Sequence, residues 1–209
     1  MRTPAIQPGI YLIIDPSMNE DVLFNKLEVI VKENISAIQV WDHFQDEQSV
    51  EGFLLKICQI ARPFDIPVLI NNQWKYLTKM PLHGVHFDEA PENYEDIRKM
   101  INRAFITGLT CNNHLSQIRW ASENNFDYIS FCSLFPSATA NSCELVNFET
   151  VQQAKTVFKG SVFLAGGIIP GNMPLLEELD YDGIAIVSGI MGSENPAEAI
   201  RNYIQQLKK

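Results

Sequence analysis

The chain has 209 residues, of which 46% are hydrophobic, so it is long enough to bury a full-sized core and is unlike a disordered or fibrous protein. Its 25 acidic residues outnumber its 16 basic ones, which argues against a surface for nucleic acid or for an anionic membrane. We therefore expect one domain over residues 1–209, with a small molecule as its partner.

The first apolar run, GIYLII at residues 9–14, is closed by Asp15 and is too short to cross a membrane. Neither a basic region nor a cleavage pattern accompanies it, so it predicts a strand and not a signal peptide. The four cysteines form no CxxC pair, which favours free thiols and a cytoplasmic protein. Cys111 and Cys143 are expected to be inert, because no base lies at a diagnostic spacing from either.

Eight short apolar runs rich in branched residues follow one another at fairly even intervals, and each predicts a strand. They are GIYLIID (9–15), SAIQVWD (36–42), IPVLINN (66–72), HGVHFD (83–88), AFITGLT (104–110), DYISFCSLF (127–135), SVFLAGG (161–167) and DGIAIVSG (182–189). Amphipathic helices are predicted at 21–33, 50–62, 94–102, 114–124, 148–158 and 197–207. The connections after Asn72 and Asn172 are shorter and less regular.

Strands that alternate with helices and are apolar on both faces predict a parallel sheet covered by helices. Eight such units in one small domain favour the α/β class and a single-domain (β/α)8 TIM barrel. A doubly wound open sheet is the alternative, but the GxGxxG turn that usually follows its first strand is missing. In a barrel, functional residues are expected at the carboxyl ends of the strands.

The second predicted strand ends in an unusual group of side chains, Trp41, Asp42 and His43. Because side chains alternate along a strand, Gln39, Trp41 and His43 share one face unless the strand has already ended. Trp41 offers a flat apolar wall to an aromatic ring, and His43 offers an acid or a base. We expect both at a ligand site, although a tryptophan packed as ordinary core fits the pattern equally well.

Two histidines mark the fourth predicted strand. Their odd separation directs His83 and His86 to opposite faces, so they do not chelate one metal ion together. His86 and Asp88 share a face and form a candidate acid and base pair. A buried core histidine is the alternative.

The seventh and eighth strand ends predict a phosphate site. Gly166 and Gly167 leave bare backbone N–H groups that can approach an anion, and Ser188 and Gly189 add a hydroxyl and further amides. Barrels commonly bind phosphate on the loops after these two strands. Glycines that only permit a tight turn are the alternative. The hydroxyl-rich loop at residues 135–142 is also expected to contact the ligand.

The order of motifs along the chain resembles the thiamine phosphate synthase family and its relative, thiazole tautomerase. The motifs are YLIID, AIQV, PVLINN, GVHF, DYISFCSLFPSAT, AGGIIPGN and GIAIVSGI. The resemblance implies a (β/α)8 barrel of thiamine biosynthesis that joins a hydroxymethylpyrimidine diphosphate to a thiazole phosphate with Mg²⁺ and releases pyrophosphate. It implies a small phosphorylated heterocycle as the ligand, and a homodimer is left open.

The resemblance also implies site residues. The phosphate of the thiazole is expected at Gly166, Gly167, Val187, Ser188 and Gly189. The expected substrate-binding residues are Gln39, Trp41, Asn71, Asn72, Thr110, Ser137 and Thr139.

The diphosphate side departs from the family pattern. Trp41 and His43 replace an Arg and a Lys, Asn72 replaces a metal-binding Asp, the second metal carboxylate falls near Pro91, and Ala140 replaces a Lys. The resemblance implies Mg²⁺, but its carboxylate ligands are missing and we predict no metal site. Synthase turnover is therefore expected to be slow. A tautomerase-like proton transfer by His43 or His86 and a non-catalytic binding protein for a phosphorylated heterocycle are the alternatives.

Overall fold

In the computed structural model, which describes residues 6–45, 49–136 and 144–207, the strands form one closed parallel barrel. They are β1 Gly9–Ile14, β2 Ile35–Val40, β3 Val68–Asn71, β4 Gly84–Phe87, β5 Ile106–Thr110, β6 Tyr128–Cys132, β7 Ser161–Ala165 and β8 Gly183–Ile186. Each strand pairs with the next in sequence, and β8 closes the barrel against β1. The predicted (β/α)8 TIM barrel is thus confirmed, and the open-sheet alternative is wrong.

Helices follow most of the strands. They are α1 Glu20–Ile30, α2 Val50–Ala61, α3 Tyr94–Ile101, α4 Leu115–Glu123, α5 Phe148–Val157, α6 Ser188–Met191 and α7 Pro196–Gln206. Short 3₁₀ turns at Trp74–Thr78 and Met173–Leu176 occupy the connections after β3 and β7. These are the two connections that the sequence predicts to be short and irregular.

Three of the helices begin at a residue whose side chain accepts a hydrogen bond from the first turn. Asn19 caps α1, Ser49 caps α2 and Asn195 caps α7. A cap of this kind satisfies a backbone N–H that has no partner within the helix, and replacing it with alanine costs about 1 kcal/mol. The caps therefore fix where each helix starts after its strand.

The alternation of strand side chains creates two separate cores. Outward-facing residues such as Leu12, Ile38 and Ile184 are fully buried in one large cluster that also contains the buried faces of the helices. Inward-facing residues such as Tyr11 and Phe163 fill the barrel itself. This alternation decides which side chains reach the barrel interior and hence the site.

No helix in the described ranges has the length and apolar character needed to span a membrane. The thiol of Cys111 is buried, and burial raises its pKa to about 12, in keeping with an inert thiol. Ser137 and Thr139, together with Ala140 and Cys143, lie outside the described residues.

Candidate functional site

A cavity of 510 Å³ opens at the carboxyl ends of the strands. Three polar side chains from neighbouring strands, Gln39, Asn71 and His86, line it and are themselves buried, with 2–4% of their surface exposed. Phe163 of β7 and Ala185 of β8 contribute apolar walls. Such a mixture of apolar walls and a few convergent polar groups is typical of small-molecule sites.

A second, smaller cavity of 120 Å³ lies beside the first, and we call it the phosphate cup after the ligand that the sequence predicts there. It is lined by the loop after β7 and by the start of α6, including Gly166, Gly167, Val187, Ser188 and Gly189. All five predicted phosphate-binding residues therefore meet at one cavity. The residues that line both cavities are Ile13, Trp41, Cys132, Ala165 and Ala185.

The backbone amides of the phosphate cup are available for an anion. Among the described residues, no hydrogen-bond acceptor is found for the amides of Gly166, Gly167, Ser188 or Gly189. An amide without a protein partner favours a ligand acceptor or water, and several such amides in one concave loop favour an anion.

Glycine is required at both positions of the cup's first loop. Gly166 and Gly167 have φ values of 84° and 66°, in the left-handed region that other residues rarely adopt. A Cβ on Gly166 would lie 2.0 Å from Ser133 Oγ, and one on Gly167 would lie 2.6 Å from the carbonyl oxygen of Phe135. The tight turn and the open amides therefore arise from the same pair of residues.

Seven polar side chains form a continuous hydrogen-bonded series across the barrel, which we call the polar chain. It comprises Asp88, Asn71, Gln39, Tyr11, Tyr128, His86 and Thr110. The distances between successive donor and acceptor atoms lie between 2.5 and 2.9 Å. Buried polar groups that are all satisfied in this way hold their side chains in one arrangement.

Two buried tyrosines complete the middle of the polar chain. Tyr11 and Tyr128 bring their hydroxyl oxygens within 2.7 Å of each other inside the barrel. A Cβ on Gly108 would lie 2.0 Å from Cζ of Tyr128, so glycine at this position of β5 makes room for the ring. Burial raises the pKa of both hydroxyls, and both therefore act as neutral hydrogen-bond donors and acceptors at neutral pH.

His86 is bonded through both ring nitrogens, Nδ1 to Tyr128 and Nε2 to Thr110, each at 2.9 Å. Burial lowers the pKa of its imidazole to about 4, while the nearby charge of Asp88 acts in the opposite direction. The sequence predicts His86 and Asp88 as an acid and base pair. Among the described residues no direct hydrogen bond joins them, and the polar chain connects them instead.

The rim of the larger cavity is acidic. Asp42, Asp88 and Glu89 line it, and neither a lysine nor an arginine appears among its described lining residues. Asn72 Nδ2 donates to Asp42 Oδ2 at 3.0 Å and to Asp88 Oδ2 at 2.8 Å. The amide of Asn72 thus stands between two carboxylates, where it neutralises part of their repulsion by donating to both.

His43 lies at the exposed edge of the same rim. Its Nδ1 is 3.7 Å from Asp15 Oδ2, and 57% of its side chain surface is exposed. β2 ends at Val40, so Trp41, Asp42 and His43 all belong to the following loop and all line the cavity. The end of the strand explains why Asp42, predicted on the opposite face, reaches the same space.

Every predicted site residue in the described ranges lines one of the two cavities, except Asn72. Asn72 lies at the rim, where it donates to the lining residues Asp42 and Asp88. The structure adds Tyr11, Tyr128 and Ser130, which the sequence patterns did not single out. The available signal was the period of two along β1 and β6, which directs these side chains inward.

Comparisons with known proteins agree with the fold and show the family. The family model described as thiamine monophosphate synthase matches residues 10–190. The chain is 24% identical to thiamine-phosphate synthase from Methanobrevibacter smithii, over 96% of this chain and 95% of that protein. It is 26% identical to thiamine-phosphate synthase 1 from Aquifex aeolicus, over 94% and 93%. Thiamine phosphate pyrophosphorylase from Pyrococcus furiosus shares the fold, with a TM-score of 0.81 at 19% identity over 96% and 95% of the two chains.

Proposed function

The chain belongs to the thiamine monophosphate synthase family, and on that premise we propose that it binds a thiazole phosphate and couples it slowly to a pyrimidine diphosphate. The observation that carries the proposal is the phosphate cup, with its open amides, directly beside a larger cavity with an aromatic wall. The phosphate binds the cup and the ring of the same ligand lies against Trp41. The family's transferase reaction in thiamine biosynthesis supplies the chemistry.

Recognition of a second ring is supported by the polar chain. Gln39, Asn71 and Thr110 present amide and hydroxyl groups to the larger cavity in a fixed arrangement. A heterocycle with nitrogen acceptors and an amino group is recognised by groups of this kind, because each amide keeps a second N–H and a second oxygen lone pair beyond its bonds within the polar chain. The cavity of 510 Å³ has room for such a ring next to the thiazole.

The slow rate follows from the charges on the rim. A diphosphate leaving group carries several negative charges, and stabilising them is mostly electrostatic work. Asp42, Asp88 and Glu89 place further negative charge there, without a lysine or arginine in the described lining. Losing one group that stabilises transition-state charge commonly costs on the order of a hundredfold in rate.

Mg²⁺, on which the family generally depends, does not fit the residues present. Among the described residues no cluster of three or more potential ligating side chains is found. The side chain of Asn72 donates to both Asp42 and Asp88, so hydrogen-bond donors and not oxygen ligands face these two carboxylates. We therefore propose no step through a bound metal.

A second candidate is a metal-free proton transfer on the thiazole phosphate, as in a thiazole tautomerase. The observation that favours it is His43, which lies beside Trp41 and within 3.7 Å of Asp15 at the mouth of the cavity. A carboxylate near an imidazole helps to hold the ring in one orientation for proton transfer. His86 is less suited to act as a base at neutral pH, because burial lowers its pKa to about 4.

The test uses the purified protein with thiazole phosphate and hydroxymethylpyrimidine diphosphate. Thiazole phosphate is expected to bind, and thiamine phosphate and pyrophosphate are expected to form at least about a hundredfold more slowly than with the Aquifex aeolicus relative. Rapid Mg²⁺-dependent formation of thiamine phosphate would contradict the slow rate. Exchange of thiazole protons with deuterium in the absence of metal would favour the tautomerase-like reaction, and binding without either reaction would indicate a binding protein.

A further inference from the structure

The polar chain has a direction that can be worked out from the number of protons each group carries. The carboxylate of Asp88 can only accept, so Asn71 must turn Nδ2 toward it, at 2.8 Å. Asn71 then presents Oδ1 to Gln39, which donates from Nε2 at 2.5 Å. Gln39 is left with Oε1 facing the hydroxyl of Tyr11.

The two tyrosines continue the same direction. Tyr11 donates its single proton to Gln39 Oε1 at 2.9 Å. The 2.7 Å contact between the hydroxyl oxygens then requires Tyr128 to donate to Tyr11. With its proton used, the hydroxyl of Tyr128 can only accept from His86 Nδ1, at 2.9 Å.

The direction determines the tautomer of His86. A neutral imidazole carries one N–H, and burial keeps this ring neutral at pH 7. With the proton on Nδ1, Nε2 is an acceptor and takes the proton of the Thr110 hydroxyl at 2.9 Å. Thr110 has no further proton to give, so Ser130 Oγ, 3.3 Å away, donates to its oxygen, and a ligand group that reaches this oxygen must also be a donor.

We infer that Asp88 is a positioning residue that sets the direction of the polar chain and thereby holds His86 in the Nδ1–H tautomer. Of the seven side chains, the other six can each donate and accept, so without Asp88 the series satisfies itself equally well in either direction. Only the acceptor at its end removes this ambiguity. The inference concerns the protein without ligand and is independent of the reaction proposed above.

Asp42 provides a matched control for Asp88. Both carboxylates accept from Asn72 Nδ2, and both line the same rim. Only Asp88 also accepts from Asn71 and is thereby connected to His86. Substituting either residue with asparagine removes the same charge, but only Asp88→Asn replaces the group at the end of the polar chain that can only accept by an amide that can also donate.

The experiment is ¹⁵N NMR of the histidine side chains in the full chain at pH 7, with His86 assigned by comparison with His86→Gln. The chemical shifts of the two ring nitrogens report which one carries the proton. In the wild type the Nδ1–H form is expected in at least about tenfold excess over the Nε2–H form. In the Nε2–H form at least one buried contact of the polar chain would bring two donors or two acceptors face to face, and that hydrogen bond would be lost. In Asp88→Asn this excess is expected to be lost, while Asp42→Asn keeps it.

A second variant cuts the polar chain at its centre. In Tyr11→Phe the Tyr128 hydroxyl has no acceptor at position 11 and becomes free to donate to His86 Nδ1, so the Nε2–H form is expected to rise. This variant also tests the inference if Asp88→Asn does not fold. A wild type with the proton on Nε2 would overturn the inference. An unchanged tautomer ratio in the folded Asp88→Asn and Tyr11→Phe variants would also overturn it, and so would equal changes of this ratio in Asp42→Asn and Asp88→Asn.

Discussion

The rings of Trp41 and His43 lie 5.0 Å apart, with an angle of 46° between their planes, at the mouth of the larger cavity. His43 therefore packs against the indole, and the indole lines both cavities. We therefore expect a ligand that spans the two cavities to contact Trp41.

Ligand binding is expected to change the fluorescence of Trp41. Adding thiazole phosphate to the wild type should alter tryptophan emission, because an aromatic ring against the indole changes its surroundings. The response should disappear in Trp41→Phe. In Trp41→Ala, affinity measured by calorimetry should fall by about fivefold or more, since an aromatic contact contributes roughly 1 kcal/mol beyond its buried area.

Trp74→Phe is the matched control, because Trp74 lies in the 3₁₀ turn after β3 and lines neither cavity. Its emission response to ligand should equal that of the wild type. If Trp41→Ala unfolds the protein and no ligand perturbs its emission, Trp41 is core and not part of the site.

The phosphate cup is tested by Ser188→Asp. Ser188 is exposed at the start of α6 beside Gly166 and Gly167, so a carboxylate there would repel a bound phosphate. Binding of both inorganic phosphate and thiazole phosphate, measured by calorimetry, should become undetectable. Ser116→Asp, an exposed position on α4, adds the same charge away from the cup and should leave both affinities unchanged. Retained phosphate binding in Ser188→Asp would place the anion elsewhere.

The strands and the cup were predictable from the sequence because they depend on local patterns. Branched apolar runs define eight strands to within a few residues, and paired glycines define the loop after β7. Several of the runs extend past the end of the strand: β2 stops at Val40 and not at Asp42, β6 at Cys132 and not at Phe135, and β8 at Ile186 and not at Gly189. Polar side chains at a strand end do not by themselves reveal where the pairing stops.

The polar chain was not predictable in the same way. Tyr11 and Tyr128 are 117 positions apart, and their contact depends on the closure of the barrel and on the space left by Gly108. Alternation indicates that both side chains point inward, but not which groups meet. Long-range polar contacts of this kind require the strand register, which no single segment contains.

Asn72→Asp is expected to create a dependence on Mg²⁺ that the wild type lacks. The substitution replaces a donor by a third carboxylate beside Asp42 and Asp88, so like charges repel and the melting temperature should fall. Millimolar Mg²⁺ should restore it, because oxygen ligands of this kind bind the cation. Thermal unfolding with and without Mg²⁺ is the measurement.

Asn112→Asp is the control for this experiment. Asn112 also lines the cavity and also has a positive φ, but its side chain accepts a hydrogen bond from the backbone of Cys132. Its melting temperature should not respond to Mg²⁺. A wild type whose melting temperature rises with Mg²⁺ would show that the rim binds the cation as it stands.

His86 is expected to make stability depend on pH in acid. Its pKa is about 4 in the folded protein and close to 6.5 when unfolded, so the unfolded state binds more protons between these values. The free energy of unfolding therefore has its full value above about pH 6.5 and falls by up to roughly 3 kcal/mol as the pH approaches 4.

Chemical denaturation of the wild type and of His86→Gln across this pH range isolates the contribution of His86, because the carboxylates titrate in both proteins. The difference in unfolding free energy between the two proteins should shrink as the pH falls. A constant difference from pH 7 to pH 4 would mean that His86 accepts a proton in the folded barrel and is not held neutral by burial.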